Sequence, residues 1–424
     1  MAVIKPFKSL RPKEDLVARI SSLPYDIIGW EKAREIIDIN PDSFLRVVKP
    51  EAALEQGVKK TNLQLAKIGA KSLQEFIERK VFIREDKDCF YLYRQSNNLY
   101  YRIGLVACLS VKDYLKGIIK RHENVNVKTY QGRVSHIKTS KTHTGCILVV
   151  YKSNKNIENL IAEATINKNI IYSFQSDDGI ENVCWKIDQK EIIQFLIKSF
   201  QPIDSLYIAD GHHRAAAAVE VSQLIELEKK KDKGGDTDNA KEHMYFPAVL
   251  IPHTQIRILA YHRLINVASD FDQKDFLAKL QKIVHLTQLV SDTPFLPTEK
   301  NEFGMNISGK WYRLKLKDDI LNKQNDSIID RLDVSLLQNL VLKPLLGIRN
   351  PQKDDRLEFI GGEDALVSIN EKAKQRTFII FTLFPTSIDD VIEVSERKQV
   401  MPPKSTWFEP KVRSGIFLHP FNDE

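Results

Sequence analysis

The segment Asp210-Gly211-His212-His213-Arg214 gathers side chains suited to handling phosphate. It lies between a strand-like run, Leu206-Tyr-Ile-Ala209, and an alanine-rich stretch at 215–227 whose propensity favours a helix. A strand that turns into a helix leaves several backbone N–H groups free at the positive end of the helix, where an anion is received. Gly211 lets the chain turn sharply and lets a phosphate approach the backbone. His212, His213 and Arg214 add side-chain donors, and the arginine fork matches phosphate oxygens. Asp210 can cap the helix, orient a histidine or hold a magnesium ion. The plainer alternative is a capped helix with surface histidines. Cations crowded into a first turn oppose the helix dipole, however, unless an anion accompanies them.

Two further clusters carry usable chemistry. His122-Glu123, with Lys128 and Arg133 downstream, places a carboxylate beside an imidazole. The glutamate can act as general base toward a hydroxyl, and the cations can hold phosphate; a solvated charged loop explains the same residues. In Met401-Pro-Pro-Lys-Ser-Thr-Trp-Phe-Glu-Pro-Lys411, the prolines stiffen the approach, and Lys404, Ser405, Thr406 and Lys411 offer donors to phosphate oxygens. Without glycines this is no Walker loop, and an ordered tail packing Trp407 and Phe408 is the competing account. Pro24-Tyr25-Asp26 reads as a turn. Tyr261-His262-Arg263 is open between core, interface and site, and Gly361-Gly362-Glu363-Asp364 reads as a hairpin or loop.

The elements that must position these groups follow from periodicity. Residues 30–40 suggest a helix stopped by Asn40-Pro41, residues 43–48 a strand, and residues 58–79 a long helix with apolar positions at 63, 65, 68, 73, 76 and 77. Residues 90–93, 100–109, 145–151, 244–251 and 256–261 read as strands, and residues 111–116 as helix-like. The polar stretch with paired glycines at 229–242 suggests a mobile insertion. Beyond about residue 268 the pattern gives a helix, strand pairs around Trp311, a helix near 335–346, another at 388–396 and an irregular tail. The class is mixed α+β, with a core at 1–265 and a smaller α+β region at 266–424.

The 424 residues exceed one ordinary core. With 42 % hydrophobic and 28 % charged residues, the balance is that of a soluble globular protein, and no apolar run reaches the roughly 20 residues of a membrane helix. The start lacks a signal-peptide stretch, and Cys89, Cys108, Cys146 and Cys184 are scattered, which suits buried reduced thiols in the cytoplasm. The net charge of +7 is spread along the chain, so a small anionic substrate accounts for it better than nucleic acid does.

Taken in order, the Pro24, His122, Asp210, Tyr261 and Met401 motifs resemble the domain of unknown function 1015 family over nearly the whole chain. The Asp-Gly-His-His-Arg turn also resembles that of the ParB/sulfiredoxin-like superfamily, which includes ADP-dependent kinases of free L-serine. This resemblance implies a ParB/sulfiredoxin-like core, a cytoplasmic phosphotransferase, and L-serine phosphorylation with pyrophosphate or ADP as donor, with magnesium. It further implies that Asp210, Gly211, His212, His213 and Arg214 cradle the donor, with Arg133, Lys404, Ser405, Thr406 and Lys411 supplementing the phosphate site. Glu123 would be the base, with His122 beside it and His213 in a catalytic role. Residues 124–133 are less acidic than the family's usual stretch after His-Glu. A phosphoserine phosphatase and a ParB-like nucleotide-binding regulator are the alternatives.

Overall fold

The computed structural model describes residues 1–166, 169–231, 241–324, 327–375 and 377–421. Of the polar stretch at 229–242, residues 232–240 lie outside these, as does the side chain of Lys128. The chain forms two compact units, the first of residues 1–121, 125–256 and 410–424, the second of 122–124 and 257–409.

The first unit is built on a nine-stranded mixed sheet. Its strands are β1 (Ile4–Lys5), β2 (Phe90–Ser96), β3 (Tyr101–Ser110), β4 (Ile119–Lys120), β5 (Ile147–Tyr151), β6 (Ile170–Gln175), β7 (Glu181–Ile187), β8 (Leu206–Asp210) and β9 (Tyr245–Pro252). They run in the order β4-β8-β5-β9-β3-β2-β7-β6, with β1 on β3. Strands β8 and β4, and β5 and β9, are parallel, while the other pairs are antiparallel. Every residue of β5 is buried, as expected of a run covered on both faces. Ile147, Val149, Leu206, Ile208, Ala215 and Ala218 share one apolar core.

Three helices of this unit bear on the turn at Gly211. Helix α1 (Asn62–Glu78) begins at a capping box in which Thr61 and Gln64 satisfy each other's backbone N–H groups. Helix α2 is Val127–Ser140, and α3 (His212–Lys231) leaves β8 after one residue, Gly211. Ala215, Ala217 and Ala218 are at most 2 % exposed, so the alanine run brings α3 close to its neighbours. Ile137 of α2 packs on Ala217 and Val221 of α3.

The second unit holds a six-stranded antiparallel sheet and a two-stranded one. Its strands are β10 (Arg257–Leu259), β11 (His262–Asn266), β12 (Val284–Gln288), β13 (Glu302–Ile307), β14 (Lys310–Leu316), β15 (Leu357–Ile360), β16 (Phe378–Leu383) and β17 (Trp407–Glu409). The larger sheet runs β12-β14-β13-β16-β11-β15, and β10 pairs with β17.

The mixed α+β class holds, and several expectations change. Residues 43–48 are not a strand: Leu45–Val48 form one helical turn, closed by Val48 N–H on the Phe44 carbonyl at 3.1 Å. Leu45, Val47 and Val48 sink into the cluster around Ile20 and Phe76, while Arg46 turns out to Glu75 at 3.1 Å. The polar stretch after His122 is largely helix α2, whose apolar contacts, Tyr130, Val134 and Ile137, lie at helical spacing behind a charged first turn. The strand expected at 256–261 shortens to β10, and β11 begins beyond it at His262. All four cysteines are buried thiols. No helix among the described residues is long and apolar enough to cross a membrane.

Gly104 of β3 tests the close packing of the first sheet. A Cβ there would stand 2.5 Å from Val249 Cγ1 and 3.0 Å from the Leu250 carbonyl oxygen. Gly104→Ala should destabilise the protein by about 1–3 kcal/mol through overpacking, measured by urea denaturation; an unchanged midpoint would contradict this packing.

Candidate functional site

The first unit assembles its site where β8 becomes α3. Gly211 has φ +94°, and a Cβ there would lie 2.9 Å from Ile147 Cγ2, so both backbone conformation and space select glycine. The turn lets Arg214, one helical turn into α3, fold back. Its Nη2 donates to Asp210 Oδ2 at 3.1 Å, and its Nη1 donates to the Cys146 carbonyl at the start of β5. Lys411 Nζ donates to the other oxygen, Oδ1, at 3.2 Å. Burial opposes the charge on Asp210, but the attraction of Lys411 and then Arg214 outweighs it and lowers the carboxyl to about 2.

The other members of the motif serve different ends. His212 is buried, and its imidazole adds to the field that keeps Asp210 ionised. His213 accepts a hydrogen bond at Nε2 from the backbone N–H of Asn126 at 2.8 Å, which joins the start of α3 to the start of α2. That bond places the ring proton of neutral His213 on Nδ1. Arg214 spends two of its five N–H groups inside the turn, and its Nε is buried without a protein partner.

Arg133, on α2, belongs to the same neighbourhood. Its guanidinium carbon lies 3.9 Å from the centre of the Tyr25 ring, and Nη1 donates to the Val48 carbonyl at 3.2 Å. Tyr25, Arg133, Arg214, His143, Gly145 and Ser414 all line one cavity of about 30 Å³. Burial above all, with Asp26 next, pushes the Tyr25 phenol up to about 12, so it is a proton donor at neutral pH. The sequence pattern reads Pro24-Tyr25-Asp26 only as a turn and passes over His143 and Ser414. The signal for Tyr25 is its place among the shared motifs; the other two have none.

The second unit gathers the remaining motifs. His122 is 1 % exposed; its carbonyl accepts from Met401 N–H at 2.8 Å, and its Nε2 lies 3.4 Å from Thr406 Oγ1. Glu123 is half-buried. Lys404 has φ +57°, its carbonyl accepts from Arg263 Nη2 at 2.9 Å, and its exposed ammonium reaches the Tyr261 hydroxyl at 3.4 Å. The Ser405 hydroxyl is committed to the Pro402 carbonyl at 2.6 Å. Trp407 meets Tyr261 edge-on at 5.3 Å, Phe408 lies 5.9 Å from the His122 ring, and Gly361 and Gly362 pass against Trp407. The tail is thus packed, as the competing account held, and it also holds Lys404 and Thr406 in place. Tyr261-His262-Arg263 divides its roles. His262 accepts at Nδ1 from Leu383 N–H at 3.2 Å, with burial lowering it to about 4. Arg263, lowered to about 9 by burial, supports the carbonyls of Tyr261 and Lys404. The structure therefore groups Asp210 to Arg214 with Arg133 and Lys411 in one unit, and His122, Glu123, Lys404, Ser405 and Thr406 in the other.

Residues 4–335 match the family described as "Protein of unknown function (DUF1015)"; the Met401–Thr406 segment lies beyond the matched residues. None of the curated proteins matches this chain. Similar solved structures include a free serine kinase in complex with AMP, 13 % identical with a TM-score of 0.35, covering 74 % of this chain and 91 % of that one. SbnI with a C-terminal truncation from Staphylococcus aureus is 11 % identical with a TM-score of 0.36, covering 72 % and 82 %. A conserved hypothetical protein from Pyrococcus furiosus is 12 % identical with a TM-score of 0.34, covering 74 % and 94 %. Likeness at this level assigns this chain neither ligand nor reaction.

The Asp210 carboxyl is lower in the fold than the 3.8 of an unstructured chain, so its contribution to stability is complete above about pH 4 and is lost as pH falls toward 2. Lys411→Met should cost on the order of 2 kcal/mol at neutral pH. The gap between variant and native protein should narrow as pH drops from 4 to 2, read from urea midpoints. A pH-independent gap would mean that Lys411 acts through packing alone.

Proposed function

Starting from the fact that this chain belongs to the DUF1015 family, we propose that it is a phosphotransferase acting on the hydroxyl of a free amino acid, forming O-phospho-L-serine from L-serine in a reversible reaction. The observation that carries the reading is the Asp210–Arg214 turn. A 20-residue helix starts there after a residue at φ +94°, and two guanidiniums and a lysine ammonium stand beside it. Phosphoryl transfer asks mainly for positioning and for neutralising charge on the transferred group, and this turn supplies cations and the positive end of a helix for both.

In this reading the turn is part of a ParB/sulfiredoxin-like core. Gly211, His212 and His213 present the start of α3 to the donor phosphates, with Arg133 and Arg214 at their flank. Asp210, being spent on Lys411 and Arg214, keeps those cations oriented rather than acting as a base. Glu123 is the base that takes the proton of the serine hydroxyl, with His122 beside it; Lys404 and Thr406 supplement the phosphate contacts, while Ser405, its one O–H given to the Pro402 carbonyl, holds that segment in shape. The donor is pyrophosphate or ADP. The described residues include no group of three or more acidic, His or Cys side chains placed to hold a metal. Magnesium therefore fits best as a partner of the donor phosphates, keeping most of its waters. The setting is the cytoplasm.

The test is phosphorus NMR of the protein with serine, magnesium and, in turn, pyrophosphate, ADP and ATP, alongside phosphoserine alone. Phosphoserine should accumulate with one donor. Phosphate release from phosphoserine alone would point to a phosphatase; nucleotide binding without turnover would point to a regulator. Gly211→Ala should lower kcat about 100-fold or more, as expected when donors are displaced by about an ångström. His213→Ala should abolish activity with the circular dichroism spectrum intact, and unchanged turnover would refute this site assignment.

A further inference from the structure

Among the buried polar atoms of the first unit that have no hydrogen-bond partner within the protein are Tyr25 Oη, Arg133 Nε, Arg214 Nε and His143 Nε2. All four side chains line the same cavity of about 30 Å³. A buried polar atom left unsatisfied is costly, and here four of them gather on one small cavity. The local charge points the same way. Arg133, Arg214 and Lys411 stand against the carboxylates of Asp210 and Asp26, and among the described residues Arg133 pairs with no carboxylate.

The four atoms are not alike. The phenol of Tyr25 and the two guanidinium Nε–H groups donate. His143 is different: burial keeps its ring well below the usual range, hence neutral, and the ring is hydrogen-bonded to the Tyr245 backbone. The proton directed at that carbonyl leaves Nε2 with a lone pair, an acceptor. The ring is also held in orientation by His419, stacked at 5.7 Å and 6°, and by Phe421 at 5.3 Å. Three donors and one acceptor, with a surplus of positive charge, describe a specific guest.

We propose that this cavity binds one inorganic hydrogenphosphate, a tetrahedral oxyanion that keeps a proton at neutral pH. Its oxygens accept from Tyr25, Arg133 and Arg214, and its P–OH donates to His143 Nε2. A cavity of this size, about two to three water probes, excludes a nucleotide. Sulfate has the same shape but no proton to give, so it sets its oxygen against the His143 lone pair. Tyr25, Arg133 and His136 also line a second cavity of about 160 Å³, so the Tyr25–Arg133 stack is the wall between them and the way in. The site shares Arg133 and Arg214 with the phosphotransferase reading, but it needs neither serine nor turnover.

Calorimetric titration of the full-length protein with sodium phosphate, sodium sulfate and sodium chloride at matched ionic strength and pH 7 tests this. Phosphate should bind saturably, one per chain, and sulfate about tenfold more weakly or worse. Arg133→Gln should weaken phosphate about tenfold, while His213→Ala, at the face of the turn, should leave it unchanged. Should Arg133→Gln fail to fold, Tyr25→Phe, which keeps the ring stack and removes one donor, decides the matter by a several-fold loss. Absence of saturable binding overturns the proposal, as does equal binding of sulfate, or phosphate affinity unchanged in the folded variant. Loss in His213→Ala alone would place the anion on the turn instead, which supports the phosphotransferase reading and removes this one.

Discussion

The first unit depends on keeping one carboxylate ionised away from bulk water. An unpaired buried charge is expensive, and a pair recovers that cost only when its geometry satisfies most of the acceptor's lone pairs. Asp210 meets the condition by dividing its oxygens between Arg214 and Lys411. Because Arg214 also holds the Cys146 carbonyl, the arrangement ties the end of β8 to the beginning of β5. The requirement for glycine at 211 follows: a side chain there would collide with Ile147 and crowd the very guanidinium that neutralises Asp210. Shape and charge at the turn are one constraint.

The second unit solves a similar problem with the signs exchanged. Arg263 is a guanidinium 4 % exposed, supported by carbonyl oxygens and by the face of Phe359 at 4.5 Å rather than by an acid. It holds the backbone of Lys404 at a point where φ is positive, and the ammonium of that residue is thereby left at the surface beside Tyr261. A buried arginine working through carbonyls fixes loop geometry without consuming an acidic residue.

What could be read from the residues alone was the local chemistry. The glycine, the alanine run and the cations of the turn announced a strand-to-helix junction, and β8 and α3 stand there. The helix at Ile388–Glu396 was equally legible, since Ser387 and Asp390 form its capping box. Position within the fold was harder. Residues 43–48 show no clear period because Phe44, Leu45, Val47 and Val48 are all buried around one short turn, and α2 hides its apolar face behind polar residues. Helices Lys155–Ile166, Lys190–Phe200 and Ala365–Ala373 and strands β6 and β7 went unread. Tyr25 and Lys411 meet Arg133 and Asp210 across 108 and 201 positions of chain, and no spacing rule reaches so far.

The same long reach bears on how the protein is made. Residues 410–421 do not decorate the first unit; they complete it. Leu418 exchanges backbone hydrogen bonds with Leu10, Gln95 donates to the Lys411 carbonyl at 3.1 Å, and His419 pairs with His143. During synthesis, the strands of the sheet leave the ribosome well before this segment, and until it arrives Asp210 has one cation instead of two. Contacts of such high sequence separation are slow to form because loop closure must be met first. The nascent chain therefore passes through an interval in which its sheet is largely translated and its charged centre is incomplete, and that interval is when chaperones and proteases have their best access to it.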